Sequence, residues 1–549
     1  MGLKIARHKT AMSRNFLSRP LQQAFADGIF AAGTSFFDYG CGRGTDIKHV
    51  AQLGHPAAGW DPAHAKSAKL VPSSVVNIGF VVNVIEDKQE RASALRKAWE
   101  LASDVLIVAA RLDWEPSART GRPYGDGILT ASGTFQKYFS QQELRTWIDS
   151  TLGEKAIAAA PGIFYVFRSS DAEQRLLSRH SRDHRAPQLS VAELIYNQQS
   201  ALLEPLGCWI RANSQLPTAP EIENADLIIE TFGSIRSAFS LIRRVSEPGQ
   251  WDGVDLGNKR VSEDRFEKNL IILQPLLDFL SDRGRPPRDE ELVSGDAIIE
   301  SLGSIRAAVS LIRKVVGNSY WAEHETRARD DFLVYLALAA FNGRPKFRDL
   351  PEELQYDARD FFGSYREACD AADELLFGVG NLEMVNAACR DSPVGKSTPE
   401  ALYVHVQGTN KLPPLLRVYI GCAEMLTGSV SNATLLKIHR EKPQVSFLSY
   451  PMFDSDPHPA LAASVIARLR ELRVDYRDYS ERENPPVLHR KETFVPSDYS
   501  GREKFARLTR QEENHGLLNS NTIGTQNGWH QALAESGFET RGHRLVRVK

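Results

Sequence analysis

One short segment constrains the fold more than any other. Residues 37–44 read Phe-Asp-Tyr-Gly-Cys-Gly-Arg-Gly, behind the apolar run Ser35–Tyr39 and ahead of a stretch with helical apolar spacing. Glycines at alternate positions let a backbone turn tightly and approach a bound group closely. A helix that follows presents N–H groups with no partner inside the helix. Strand, glycine turn and helix in that order open an α/β unit, and residues 1–170 keep the alternation. Apolar runs recur at Ala57–Trp60, Val75–Val82, Val105–Ala109 and Ile163–Phe167, with helical patterns at Glu90–Ala102 and Gln141–Leu152.

A second acid, Asp61 in Gly-Trp-Asp-Pro, closes the next short run. An acid in that place can accept hydrogen bonds from both hydroxyls of a ribose. A nicotinamide fingerprint would need its last glycine at Thr45 or Ile47, depending on the first glycine chosen. The form Asp38-x-Gly40-x-Gly42-x-Gly44 instead resembles motif I of class I S-adenosylmethionine (SAM)-dependent methyltransferases. Asn83–Asp87 (NVIED) stands where those enzymes often carry an acidic turn. The resemblance implies a Rossmann-like methyltransferase domain that binds SAM through Asp38, Gly40, Gly42, Gly44 and Asp61. The stretch between Asp61 and Val75 is too brief for a full helix and strand, so the third strand of such a sheet is expected to be short or missing. Cys41, inside the turn, reads as packing and not as a nucleophile.

From about residue 200 the sequence repeats itself. Ile228–Val245 reads IIETFGSIRSAFSLIRRV, Ile298–Val315 reads IIESLGSIRAAVSLIRKV, and Phe361–Ala372 is a weaker copy. The glycines Gly233, Gly303 and Gly363 recur at a nearly even interval, and a proline-bearing turn precedes each copy. A stack of small helical units is the natural product. Gly-Arg-Pro followed by Phe-Gly-Ser-x-x-x-Ala is similar to a helical repeat found beside homing-endonuclease and HNH modules, which implies contact with DNA. Ser234, Ser304 and Ser364 at helix starts, with Arg236, Arg306 and Arg366 two positions on, suit a phosphate. The alternative is that each Ser caps its helix and each Arg is solvated.

The last part is rich in Pro, Arg, His and Tyr. Val445–Tyr450 and Val474–Tyr479 alternate like strands, and Leu461–Leu472 has the spacing of an amphipathic helix. The blocks His439-Arg440-x-Lys442 and His489-Arg490-Lys491-Glu492 suggest a phosphate-binding surface or solvated loops. No pair among His405, His439, His458 and His489 has the i, i+4 spacing of a helical metal site, so no metal is expected. Asn484-Pro485-Pro486-Val487 lacks the aromatic that amino-methylating DNA enzymes stack on a base, and reads as a polyproline turn. Residues 75–87 hold no Cys for cytosine-C5 chemistry.

Much of the chain is similar to one family. Lys4–Pro20, Phe36–Ile47, Gly133–Arg145, Leu435–Leu461 and Asp478–Val495 resemble the DNA phosphorothioation-associated methyltransferase family, whose own reaction is unassigned. The resemblance implies a bacterial protein encoded near DNA backbone-sulfur modification and antiphage restriction systems, with DNA, plain or phosphorothioated, and DNA sulfur-modification proteins as partners. Five cysteines without a CxxC pair point to a reducing cytoplasm. The longest apolar run, Phe332–Phe341, is too short to span a membrane. With a net charge of −2, nucleic-acid contact has to come from local basic patches.

The expected architecture is therefore a methyltransferase-like α/β domain (1–170), a basic helix or linker (171–198), all-α helical repeats (199–380) and a mixed α/β domain (381–549). The catalytic candidates Asn83, Glu86, Arg111, Tyr124 and Asp126 follow strands whose C-terminal ends form the crevice in such sheets. Methyl transfer to a soft sulfur or a phosphorothioate oxygen needs positioning and a nearby cation more than base catalysis. Arg111 and the basic arm Lys4, Arg7, Lys9, Arg14 and Arg19 are candidates for that cation. Two functions follow: a SAM-dependent methyltransferase acting on nucleic acid, or a DNA-binding accessory protein whose methyltransferase fold binds SAM without transfer.

Overall fold

The computed structural model describes residues 5–11, 14–115, 118, 120–182, 196, 199–232, 234–246, 250–251, 254, 265–266, 268–292, 295–316 and 318–548. Lys4, Gly233 and most of 183–198 lie outside them. The chain divides into two compact units. One comprises Met1–Leu177, Ala337–Asp349 and Glu374–Lys549; the other comprises Ser178–Leu336 and Leu350–Asp373. The expected N-terminal and C-terminal domains thus share one unit, and the expected boundaries at 198 and 380 fall elsewhere.

The first unit opens with helix α1 (Arg19–Ala26), strand β1 (Phe36–Tyr39), helix α2 (Thr45–Gln52), and strands β2 (Ala57–Trp60) and β3 (Ser73–Gly79). Helix α3 (Lys88–Leu101) and strand β4 (Ala102–Ala109) follow. A small meander, β5 (Arg122–Tyr124), β6 (Gly127–Leu129) and β7 (Phe135–Gln136), leads to helix α4 (Gln141–Leu152), strands β8 (Ile157–Ala160) and β9 (Ile163–Phe167), and helix α5 (Ser170–Arg182). The main sheet runs β2-β1-β3-β4-β9-β8; β2, β1, β3 and β4 are parallel and β9 is antiparallel to its neighbours. Its strands are apolar on both faces, as a sheet covered twice requires. Phe36, Val75, Val105 and Ile107 pack toward Leu21, Val50 and Leu176. Phe37, Val76, Leu106 and Val108 pack toward Ala94, Leu95, Leu144 and Ile148 of α3 and α4. Between Asp61 and Ser73 the described chain holds only turns and one isolated bridge, so β2 is the edge strand and the third strand is missing.

The C-terminal part of this unit is a six-stranded antiparallel meander. It comprises β10 (Lys396–Ser397), β11 (Ala401–His405), β12 (Leu435–His439), β13 (Gln444–Ser449), β14 (Ala463–Arg468) and β15 (Arg473–Asp478), in that order across the sheet. Helices Leu382–Arg390 and Pro414–Thr427 cover one face through Val385, Leu416, Tyr419 and Ile420. The other face packs Leu435, Leu448 and Tyr450 against Phe494 and Phe505. The helix expected over Leu461–Leu472 is instead strand β14. It lies between β13 and β15 with nearly every side chain buried, so burial on both faces replaced the two-residue alternation with a run that mimics a helix.

The turn after helix Pro414–Thr427 packs tightly on the main sheet. Ser429 N–H donates to Ala159 O at 2.9 Å, and Gln141 Nε2 donates to Thr427 O at 3.3 Å. Gly428, at φ +70°, passes so close that a Cβ there would sit 2.5–2.8 Å from the backbone of Ala160.

The described part of the second unit is helical. Helices Ser200–Asn213 and Leu270–Arg283 each carry an internal proline, Pro205 and Pro275, and end in a left-handed residue, Ser214 and Gly284. Helix pairs Ala225–Phe232 with Ile235–Val245, and Gly295–Leu302 with Ile305–Val316, follow the proline turns. Glu352–Phe362 is paired in the same manner with the start of Tyr365–Gly378. The Arg of the Gly284-Arg285-Pro286 turn is internal: Arg285 is 2% exposed and donates to Asp357 at 2.6 Å and to Glu291 at 2.7 Å.

Candidate functional site

In the main sheet β1 and β3 are neighbours, and the chain leaves them toward opposite sides, β1 through α2 to β2 and β3 through α3 to β4. Ligands in open α/β sheets sit outside the carboxyl ends of strands at such a reversal. Register places Asp38 beside Gly59 and Asn77 on one rung, so Asp38, Asp61 and Gly79 cluster at that end. A cavity of about 1210 Å³ opens there. Asp38, Gly40, Gly42 and Asp61 line one end, with Asp46, Asn77, Phe80 and Asn83.

The turn is built as its composition demands. Gly40, Gly42 and Gly44 all have positive φ, +88°, +53° and +74°. Gly40 N–H and Cys41 N–H both donate to Trp60 O, which ties the turn to β2. A Cβ on Gly40 would lie 2.4 Å from Val81 Cγ2, so the first glycine is needed for conformation and for space. Gly44 caps α2 from outside the cavity lining. Burial, and then the neighbouring Asp38 and Asp61 carboxylates, push the Cys41 thiol up to about 12, which keeps it protonated and in a packing role.

Asp38 is buried and accepts from Asn77 Nδ2 at 2.8 Å. Burial, and then Asp46, push its carboxyl up to about 7. Asp61 differs from expectation. Its Oδ1 accepts from Ala63 and His64 N–H, both at 2.8 Å, and its Oδ2 accepts from Gly42 N–H at 3.1 Å. A carboxylate has about four acceptor positions. Three serve the backbone, so one remains for a ribose hydroxyl in place of the expected two.

The catalytic candidates separate. Asn83 and Arg111 line the cavity, whereas Glu86, Tyr124 and Asp126 do not. Glu86 is paired with Arg7 at 2.7 Å, which holds its carboxyl below the usual range although burial opposes this. Asp126 is paired with Arg91 at 2.8 Å and accepts its guanidinium through both oxygens. Arg7 also bonds Glu90, so this arginine of the basic arm is a strap across α3. Asn83 is 1% exposed; its Nδ2 donates to Gln136 Oε1 at 2.8 Å, and its Oδ1 is buried without a protein partner. Arg111 bonds Glu115 at 2.9 Å within the lining. Lys9, Arg14, Arg19 and Lys97 add positive charge to the wall.

The far wall comes from the C-terminal part of the chain. Ser431 and Asn432, in the turn before β12, line the same cavity with Phe447, Ser449, Val465 and Tyr476 of the C-terminal sheet. Trp114 faces Tyr476 with ring centroids 6.1 Å apart.

The charged C-terminal blocks are partly internal, although Lys442 is exposed. Lys491 is 2% exposed, and its Nζ donates to the carbonyls of Phe453 and Asp456. Arg440 binds Asn386 Oδ1 at 2.7 Å, and burial lowers His439 to about 4. Asn484 accepts from Asn527 N–H, and Pro486 O from Leu461 N–H, so the Asn-Pro-Pro-Val segment braces the fold outside the cavity lining. In the helical unit, Ser234, Ser304 and Ser364 accept from the N–H three positions on, at 3.0, 3.1 and 3.2 Å, as helix caps. Arg306 and Arg366 are exposed and Arg236 is half-buried.

No protein-family model matches the chain, and no curated protein matches it. Among solved structures it is similar to a sugar N-methyltransferase from Streptoalloteichus sp., at 14% identity and TM-score 0.23, over 29% of this chain and 90% of that one. It is also similar to magnesium protoporphyrin IX methyltransferase from Synechocystis, solved with bound SAH, at 14% identity and TM-score 0.21. That match covers 30% of this chain and 93% of the other. At these scores the likeness carries nothing about substrate or reaction. No helix among the described residues is long and apolar enough to cross a membrane.

Proposed function

We propose that the chain is a SAM-dependent methyltransferase acting on nucleic acid, with DNA as the principal substrate. One observation carries the reading: the glycine turn, Asp61, Asn83 and a set of cationic side chains open into a single cavity of about 1210 Å³. Ligand pockets for one small molecule are usually ~300–1,000 Å³, so this one has room for a cofactor and an acceptor group together. SAM, when bound, supplies an electrophilic methyl group. Gly40 and Gly42 let the backbone approach it, and Asp61 offers its remaining acceptor position to the ribose. Asn83 Oδ1 offers a buried acceptor that can orient a donor group of either ligand. Arg14, Arg19, Lys97 and Arg111 favour an anionic acceptor. An extruded nucleotide is one such group, and its extrusion is how enzymes reach atoms inside a duplex.

The family resemblance along the chain supports a place in DNA phosphorothioate modification and antiphage defence, beside DNA sulfur-modification proteins. A second reading, an accessory DNA-binding protein that holds SAM without transfer, is favoured by Glu86 and Asp126. Both are tied in ion pairs outside the cavity lining. The deciding experiment is transfer of radiolabelled methyl from SAM to phosphorothioated DNA, plain DNA and RNA, side by side. Label on DNA that disappears in Asp61→Ala supports the enzyme. SAM binding by calorimetry with no label on any of the three nucleic acids supports the accessory protein, and label on RNA alone refutes a DNA substrate.

A further inference from the structure

Away from the cavity, three side chains converge that the sequence keeps far apart. His458 precedes β14, His489 follows the Pro-Pro segment, and Glu512 lies on helix Arg502–Asn514. Among the described residues this is the one group of metal-capable side chains that converges, with its ligand atoms all within 4.8 Å of one another. We propose that it binds one divalent transition-metal ion, with zinc best matched to two imidazole nitrogens and one carboxylate oxygen.

The hydrogen bonds orient the donors. His489 Nε2 lies 2.8 Å from the carbonyl of Ile523. A carbonyl only accepts, so Nε2 carries the proton and Nδ1 carries the lone pair. That Nδ1 is buried and has no protein partner. A backbone carbonyl fixing the tautomer of a histidine whose other nitrogen points at a metal is a recurrent second layer of metal sites. His458 Nε2 lies 2.7 Å from Glu512 Oε1, so nitrogen and carboxylate already share one side of the cluster.

Packing holds the rings in place. Trp529 lies against both, with centroids 4.3 Å from His458 and 4.7 Å from His489, and the two imidazoles are 4.8 Å apart. His458 and Glu512 are 7% and 1% exposed. A buried carboxylate needs a positive partner. The nearby Lys491 ammonium is directed instead at two carbonyls and His543 Nε2. A dication among the three groups supplies the charge, and its tetrahedral shell leaves a fourth position for water or another ligand. The inference does not depend on methyl transfer.

The test uses the full chain, stripped with a chelator and then titrated with Zn²⁺ or Co²⁺. The site predicts one zinc retained per chain through gel filtration and the visible ligand-field bands of tetrahedral Co²⁺. It also predicts quenching of tryptophan fluorescence by Co²⁺ that is lost in Trp529→Phe. His489→Ala and Glu512→Gln should each weaken zinc binding by at least ~100-fold. If either misfolds by circular dichroism, the Co²⁺ bands and the Trp529-dependent quenching of the wild type still decide. A wild type that retains no zinc and shows no Co²⁺ bands would reduce His458 and Glu512 to a plain hydrogen-bonded pair. Zinc bound equally by folded variants would place the ion elsewhere, and either result overturns the assignment.

Discussion

The close contact between β8 and the turn after helix Pro414–Thr427 can be broken with one methyl group. Gly428→Ala places a Cβ at φ +70°, 2.5 Å from Ala160 N and 2.6 Å from its Cα. At φ +70° and ψ −177° the residue lies in a region that is essentially Gly-only, which costs another residue ~1–3 kcal/mol, partly offset by the lower entropy of the unfolded Ala chain. The obstruction is backbone in a buried strand, so the sheets must part by about 1 Å to reach ordinary contact. That strains the bonds Ser429 N to Ala159 O and Gln141 Nε2 to Thr427 O, each worth ~1 kcal/mol. Together these effects come to at least ~3 kcal/mol. Gly153→Ala is the comparison: it sits in the ordinary left-handed helical conformation, φ +73° and ψ +14°, and its Cβ meets nothing within 4 Å, so only a conformational cost of ~1 kcal/mol applies. Thermal melting of the two variants should separate them, with Gly428→Ala two to three times more destabilised. SAM affinity by calorimetry should fall in Gly428→Ala alone, because Ser431 and Asn432 on the cavity wall follow the displaced turn. Equal melting temperatures and equal SAM affinity in the two variants would refute the argument that this contact sets the cavity wall.

Two further outcomes test other parts of the molecule. Asp38 has its carboxyl raised from 3.8 to about 7, so its favourable contribution is complete below pH 4 and disappears as pH rises through 7, by ~1.4 kcal/mol per unit. Asp38→Asn should therefore match wild type in melting temperature near pH 4 and exceed it at pH 8 by the equivalent of a few kcal/mol; a difference that does not change with pH would mean the carboxylate is solvated. In the helical unit, replacing Arg236, Arg306 and Arg366 by Ala should reduce the slope of log affinity for DNA against log salt by ~0.9 for each phosphate that no longer meets a guanidinium, with folding within ~0.5 kcal/mol per site. An unchanged slope with intact melting would leave Arg306 and Arg366 as solvated surface and Arg236 as a packing residue.

How much the sequence revealed depended on how local the cause was. The β1 turn was legible because three positive φ angles require glycine, and nothing distant decides that. The missing third strand was legible by counting, since the brief stretch between Asp61 and Val75 leaves no room for it. Strand β14 was misread because burial on both faces erased its period of two. Glu86 and Asp126 were misplaced because their arginine partners, Arg7 and Arg91, are brought to them by tertiary packing. The group of His458, His489 and Glu512 escaped because helical spacing detects ligands on one helix, not ligands gathered from three elements. The far wall of the cavity, from Val430 to Tyr476, stands near the opposite end of the chain from the glycine turn, beyond any local signal.

The discontinuity of the first unit also has a consequence in time. Its β1–β9 sheet is synthesised before residue 178, and the strands that wall its cavity begin at Leu435. At ~5–20 residues per second, the ribosome needs roughly 13–50 s to cover that interval. Throughout it, the cavity that Phe80 and Val81 help to line has no second sheet opposite it. The newborn N-terminal half thus carries an unroofed, partly apolar groove for far longer than a small domain takes to fold. During that window the groove is a natural landing place for a chaperone.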